Sequence, residues 1–309
     1  MNQLQPILLY CATIWGLYGH REISNIQNRA GGFFLSVPRN ASNCAVQGEL
    51  GWRTCLTQQQ IESFRCFVKL YHMSEDRLTN KVFRWSMNRK GSFSFNLVKL
   101  GRQWLLYDTL LSPTSGINCK ISVIKQRLCR LDEEKWFSEL LDDVGKAIGN
   151  KLRTYRLFKK DCRPELYVRY IISRHRQSNL SKLRCGILPL NIEIGFYSKP
   201  PTPINQRLCP FCDSAESEAH FLVNCAFYHD LNIDEFSFSP DDSNHLKFIM
   251  VMNTTEIKVL KLVAYTINDL CYKKKAVTFL IYFTYVLFYI CHEHNRPDCI
   301  LYIFLVNLC

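Results

Sequence analysis

Acidic side chains are scarce in this chain: 27 Asp and Glu stand against 39 Lys and Arg, leaving a net charge of +12. Such an excess favours a polyanionic partner, because each phosphate that a cation neutralises releases counterions. There is no internal repeat and no low-complexity run, so neither a repeat array nor a flexible tether is expected. No Asn-Gly or Asp-Gly turn joins two alternating segments, which argues against a hairpin-built β fold. The first residues, MNQLQPILLYCATIWG, lack a basic n-region, and Gln3, Gln5 and Pro6 interrupt the apolar stretch. A secretory leader is therefore not expected. The 15 cysteines, an odd number, then read as reduced thiols or metal ligands in an intracellular protein of the cytoplasm or nucleus. On the same ground the sequons at Asn40 and Asn253 carry no weight.

What the chain does have is apolar content. Of 309 residues, 47% are hydrophobic, enough for a sizeable core in one large domain or two modest ones. Ile61, Phe64, Phe67, Val68 and Tyr71 recur at spacings of three and four, which predicts a helix over 58–73. Val82, Phe83 and Trp85 suggest another over 78–87, and Trp136, Phe137, Leu140, Leu141, Val144 and Ile148 a third over 134–148. Pro164 is placed to start a helix carrying Leu166, Tyr167, Tyr170 and Ile171. Ser, Pro and Gly at 112–120 mark a linker, and three prolines within 198–207 demand a loop. The expected fold is mainly α, a helical bundle-like region with a small zinc-knuckle-like insertion. Its segments are a helical region over 1–111, a linker over 112–130, a basic helical region over 131–200, the insertion over 201–230, further helices over 231–275 and an apolar tail over 276–309.

One stretch carries recognisable chemistry. Residues 207–225 read RLCPFCDSAESEAHFLVNC. Cys209 and Cys212 form a CxxC pair, seven residues separate Cys212 from His220, and four separate His220 from Cys225. Two thiolates at that spacing grip one ion from a tight turn, and His220 and Cys225 can project from a short helix and its end. Cys209, Cys212, His220 and Cys225 together make a Cys₃His tetrahedral set for Zn²⁺. With all four positions filled by protein, the set suits a structural ion. Glu216 and Glu218 are expected to cap the helix carrying His220 or to hydrogen-bond its free ring nitrogen. His229 is a weaker substitute ligand. His292 and His294, with Cys291 and Cys299 around them, form a weaker rival cluster.

Several blocks in order resemble the region after the thumb in reverse transcriptases of non-LTR (LINE-type) retrotransposons. They are PILLYCATIWG (6–16), where Cys11 stands in place of a usual glycine, and AGGFFLSVPRNASNCAVQGELGW (30–52). KLRTYRLFKKDCRPELYVRY (151–170), KLRCGILPLNIEIGFY (182–197) and CPFCDSAESEAHFLVNCAFY (209–228) follow. The matched blocks extend over roughly 6–275. The resemblance implies a post-polymerase region, non-catalytic by itself, with a CCHC zinc module. It would hold template RNA or target DNA for a polymerase encoded upstream. The family's paired polymerase aspartates lie upstream of the matched region. Asp142–Asp143 fall in a helical pattern and Asp241–Asp242 in a Ser/Pro loop, so neither pair has the strand-turn-strand context that two-metal chemistry needs. Phe196 also follows Gly195, where the family often carries arginine.

Arg153, Arg156, Lys159, Lys160, Lys182, Arg184 and Arg207 precede or adjoin the zinc motif, interleaved with Tyr155, Phe158, Tyr167 and Tyr170. Cations hold backbone phosphates and aromatics stack on unpaired bases, so these seven are the expected nucleic-acid contacts. The alternative is an inactive remnant with a structural role only. The apolar run 276–290 follows Lys273, Lys274 and Lys275. It reads as an extension foreign to the fold or a buried helix, and secondarily as a membrane segment over 276–291.

Overall fold

A computed structural model describes residues 7–113, 116–142, 151–171, 173–227 and 243–293, the side chains of 281 and 284–293 excepted. The chain is mainly helical, with almost no strand. It divides into two compact units, Met1–Val168 with Cys185–Ile187, and Arg169–Arg184 with Leu188–Cys309.

In the first unit the helices are α1 (Ala12–Trp15), α2 (Arg21–Leu35), α3 (Asn43–Leu50), α4 (Cys55–Tyr71), α5 (Leu78–Ser86), α6 (Phe93–Gln103), α7 (Tyr107–Leu111), α8 (Ile117–Asp142) and α9 (Tyr155–Phe158). The predicted 58–73 helix is α4, and Ile61, Phe64, Phe67 and Val68 face the core as their spacing required. Thr54 caps it by accepting from the Thr57 N–H, and Asp132 Oδ1 in turn accepts from the Thr54 hydroxyl at 2.8 Å. Gln27 ties α2 to the same helix start, accepting from the Cys55 N–H at 2.8 Å and donating to the Arg53 carbonyl at 2.6 Å. Asn80 closes the other end, its amide donating to the carbonyls of Leu70, Tyr71 and Met73.

The expected linker over 112–130 is replaced by α8, which packs along α4 and buries Ile124 and Leu128 in the main core. The Ser-Pro break at 112–113 is real, but helix resumes at Ile117 and runs through the region set aside as a connector. Further along α8, Trp136 donates to the Cys44 carbonyl at 2.8 Å, and Tyr155 from α9 donates to the Ala45 carbonyl at 3.2 Å. Both cover Gly48, where a Cβ would stand 2.4 Å from the Tyr155 oxygen. The amphipathic patterns were too broad elsewhere: Val82, Trp85, Phe137 and Leu141 are exposed. Val144 and Ile148 lie outside the described residues.

Leu166–Tyr170 forms the short helix α10, which begins two residues after Pro164 and not at it; Tyr167 on it is buried, whereas Tyr170, expected on the apolar face, is exposed. The second unit contains α11 (Arg174–Arg184), α12 (Asn191–Tyr197), α13 (Asn244–Met252) and α14 (Ile257–Glu293). α11 packs along α14 and buries Leu180, Leu183, Val263, Ile267 and Leu270. The stretch 198–207 is a loop with one 3₁₀ turn, Ile204–Gln206. The start of the expected apolar tail is instead the continuation of α14. Phe279, Leu280, Tyr282 and Phe283 on it are exposed, so this part is not a buried helix. No helix among the described residues is long and apolar enough to cross a membrane, and residues 294–309 lie outside the described residues.

Candidate metal centre

Leu208 and Ala215 pair as an isolated antiparallel bridge, and between them the chain folds back tightly. The Cys209 N–H donates to the Ser214 carbonyl at 2.7 Å, and Asp213 takes a left-handed conformation, φ 54°. Asp tolerates that conformation better than most residues, so the turn after the CxxC pair closes without glycine. His220 and Cys225 stand at the two ends of a π-helical turn, His220–Asn224, in which the Cys225 N–H donates to the His220 carbonyl at 3.0 Å. Ser217 Oγ accepts from the His220 N–H at 3.2 Å and fixes the start of that turn. The wider ring of a π turn brings residues five apart onto one side, which puts the histidine and the last cysteine beside the knuckle.

The four ligand atoms lie within 4.8 Å of one another. Cys209 Sγ and Cys225 Sγ are 3.8 Å apart, Cys212 Sγ and Cys225 Sγ 3.9 Å, and Cys212 Sγ and His220 Nε2 3.3 Å. A tetrahedron with zinc–sulfur bonds of about 2.3 Å and zinc–nitrogen bonds of about 2.0 Å has edges of roughly 3.8 Å between sulfurs and 3.5 Å between sulfur and nitrogen. Those three contacts fit one ion at the centre. Cys209, His220 and Cys225 are buried and Cys212 is exposed. Burial pushes the Cys209 thiol up, while the Ser214 N–H holds Cys212 below the ordinary thiol range. Burial also lowers the His220 imidazole, against the opposing pull of Glu216. A neutral imidazole and at least one acidic thiol are the forms that a divalent metal takes up.

Neighbouring side chains hold this frame. Glu216 is fully buried. Its Oε2 accepts from the Asn191 N–H and its Oε1 from Lys274 Nζ, each at 2.6 Å. It therefore anchors α12 and α14 to the knuckle, where a helix cap or a bond to the imidazole was expected. Glu218 is also fully buried. Asn191 Nδ2 adds a bond to the Leu208 carbonyl at 2.6 Å. Phe211, inside the CxxC pair, stacks on Phe227 at 3.8 Å and 7°. Asn191 and Phe227 were not singled out in the sequence, and Lys274 stood out only as part of the basic flank of the apolar run. Only Ser217, three residues ahead of His220, carried a legible capping signal.

Of the rival ligands, His229, His294 and Cys299 lie outside the described residues, as do the side chains of Cys291 and His292. Asp142 ends α8, and Asp143, Asp241 and Asp242 are outside the described residues.

The seven expected nucleic-acid cations divide between the units, four in the first and three in the second. Two are corrected outright by burial. Lys159, 3% exposed, pairs with Glu165 and donates to the Arg163 carbonyl at 2.7 Å. Arg184, 2% exposed, donates to the Met252 carbonyl at 2.5 Å. Both are engaged inside the fold and present no face to a phosphate. Arg207 is half-buried, donating to the carbonyls of Thr202 and Ile192 at 2.8 Å each. Its stem lies against Gly195, where a Cβ would come within 2.8 Å of it. The glycine of the Ile-Glu-x-Gly string thus makes room for Arg207. Arg153, Arg156 and Lys182 are half-buried, and Lys160 is exposed. Among the aromatics, Tyr155, Phe158 and Tyr167 are buried and only Tyr170 is exposed.

No family model matches the chain, and no curated protein or solved structure matches it.

Proposed function

We propose that this chain is a zinc-binding, nucleic-acid-binding region of a non-LTR retrotransposon-type reverse transcriptase, non-catalytic by itself. The observation that carries this reading is the Cys₃His set, four ligands on one short turn-and-helix frame at distances that fit a zinc tetrahedron. The ion in that site holds Cys209, Cys212, His220 and Cys225 together and has no open position for chemistry. The net charge of +12 supplies long-range attraction to RNA or DNA. The sequence blocks around the zinc motif supply the family.

Within this reading Arg153, Arg156, Lys160 and Lys182 are the contacts to phosphate, and Tyr170 is the exposed ring for stacking. The test is a salt titration with labelled single-stranded RNA and duplex DNA. Binding should weaken as salt rises, and each lost phosphate contact should flatten the slope of log affinity against log salt by roughly 0.7–0.9. Lys160→Ala should produce such a change and Lys125→Ala none. Binding that ignores salt, or its absence, sinks the reading.

A second reading has an observation of its own. Lys159 and Arg184 are buried and satisfied, so part of the basic character is internal support. A purely structural remnant would keep its zinc and bind neither polymer.

A further inference from the structure

A cleft of about 500 Å³ opens in the first unit between the C-terminal half of α2 and the start of α3. Its size falls within the roughly 300–1,000 Å³ of small-molecule sites. No carboxylate lines it, whereas Arg29 and Arg39 both do. Both are exposed, and neither guanidinium meets an acceptor, a carboxylate or a ring among the described residues, so both forks of donors are available to an anion entering the cleft.

The rest of the lining is also donor-biased. Asn28 Oδ1 accepts from Gln47 Nε2 at 3.0 Å, which leaves the Asn28 amide nitrogen as its donor group. Asn43 begins α3, and Ser42 before it makes no side-chain cap, so the first N–H groups of that helix keep their partial positive charge. One wall is apolar: Phe33 is 68% exposed beside Val37 and Gly32.

The loop that carries Arg39 is built. Ser36 closes α2 in the left-handed conformation, the Val37 N–H donates to the Gly32 carbonyl at 2.9 Å, and the Ala41 N–H donates to the Pro38 carbonyl at 3.1 Å.

We propose that this cleft binds a small organic phosphomonoester of nucleotide size. Arg29 and Arg39 take the two negative charges, Asn28 donates a further hydrogen bond, and Phe33 covers the planar or sugar portion. Guanidinium forks match carboxylate and phosphate oxygens alike, but two cations with no carboxylate among the lining residues suit the nearly doubly charged phosphomonoester better than a singly charged carboxylate. The site shares no residue with the zinc centre or with the seven cations read from the sequence, so it stands independently of the proposed function.

Calorimetric titration of the full, zinc-loaded chain with adenosine monophosphate, adenosine, inorganic phosphate and a short single-stranded oligonucleotide tests it. Adenosine monophosphate should bind at least tenfold more tightly than adenosine or inorganic phosphate. Arg29→Ala/Arg39→Ala should lower its affinity tenfold or more, and Arg29→Lys/Arg39→Lys by less. Gly32→Met gives a check that leaves the charge untouched. A Cβ at Gly32 meets only ordinary contacts, the nearest 3.6 Å away, so the longer side chain should fold yet crowd the cleft and weaken binding. Failure of adenosine monophosphate to bind, equal binding of adenosine, unchanged affinity in the double alanine variant, or binding of the oligonucleotide alone would each overturn the proposal.

Discussion

Glu216 and Lys274 stand 58 residues apart in sequence and 2.6 Å apart in space, with the carboxylate fully buried and the lysine 15% exposed. This pair links α14 to the backbone of the knuckle, four residues before His220. Taking one partner away leaves a charge without its match in a place water reaches poorly.

The two single substitutions should therefore differ. Lys274→Met leaves Glu216 buried, with the Asn191 N–H in place of a cation, and should cost about 3 kcal/mol. Glu216→Gln keeps an acceptor for Asn191 and frees Lys274 to turn toward solvent, so it should cost about 1–2 kcal/mol. The double variant should recover part of the loss, because residues in one ion pair do not add. Urea unfolding with zinc present checks the order. Additive losses would mean that the pair is not coupled.

Truncation reads the same connection from the other side. A chain ending at Glu293 should keep its zinc and its helical content. A chain ending at Lys275 removes Thr278, Phe279 and Tyr282 from the apolar cleft that they share with Leu188, Ile194 and Phe221. It should lose stability by several degrees in melting temperature, and zinc should leave it faster on chelation because Phe221 follows His220 directly. Equal melting and equal metal release in the two chains would show that 276–293 only decorates the fold.

Arg184 and Arg207 report on stability where the sequence suggested binding. Arg184→Ala removes a buried guanidinium bonded to the Met252 carbonyl and should cost about 2–3 kcal/mol by chemical denaturation. Arg207→Ala should cost less, since that side chain is only half-buried. Lys125 is exposed and suits a comparison, but Lys120 does not. It is 1% exposed, lies 2.6 Å from His72 Nε2 and donates to the Ser112 carbonyl. Loss of salt-dependent nucleic-acid affinity by Arg184→Ala, with stability unchanged, would reverse this assignment.

The Cys₃His cluster was legible because metal chelation imposes local spacing, and a CxxC pair with His220 and Cys225 following brings four ligand-type residues into one short stretch. Helix α4 was legible for a similar reason: four of its core residues recur at three and four along one face. The path of α8 was not, because a Ser-Pro break at 112–113 looks the same whether a linker or a new helix follows. Cys119 and Lys120 also blur its apolar stripe. Charge misled most. A sequence shows that Lys159 and Arg184 are cations but not that Glu165 and the Met252 carbonyl hold them, since the second partner lies 68 residues away. The Glu216–Lys274 pair was hidden by distance in the same way.

Metal affinity should fall as pH falls. Each thiol must lose its proton to bind, so protons compete with the metal and their release pulls binding forward at higher pH. Burial raises Cys209, which makes its proton hard to lose without the ion, whereas the lowered His220 is neutral at pH 7 and releases none. Log affinity should therefore rise with pH through the neutral range, since binding releases at least the proton held by the raised Cys209 thiol. A flat profile would point away from thiolate ligands.

Elemental analysis of the purified full chain, alongside Cys209→Ser and His220→Ala variants, tests the central claim most directly. The native chain should carry about one zinc per molecule, and each variant should lose it, because removing one of four ligands opens a site that the remaining three hold weakly. Native protein that stays metal-free when supplied with zinc, or variants that retain a full equivalent, would contradict the assignment of Cys209, Cys212, His220 and Cys225 as a structural zinc site.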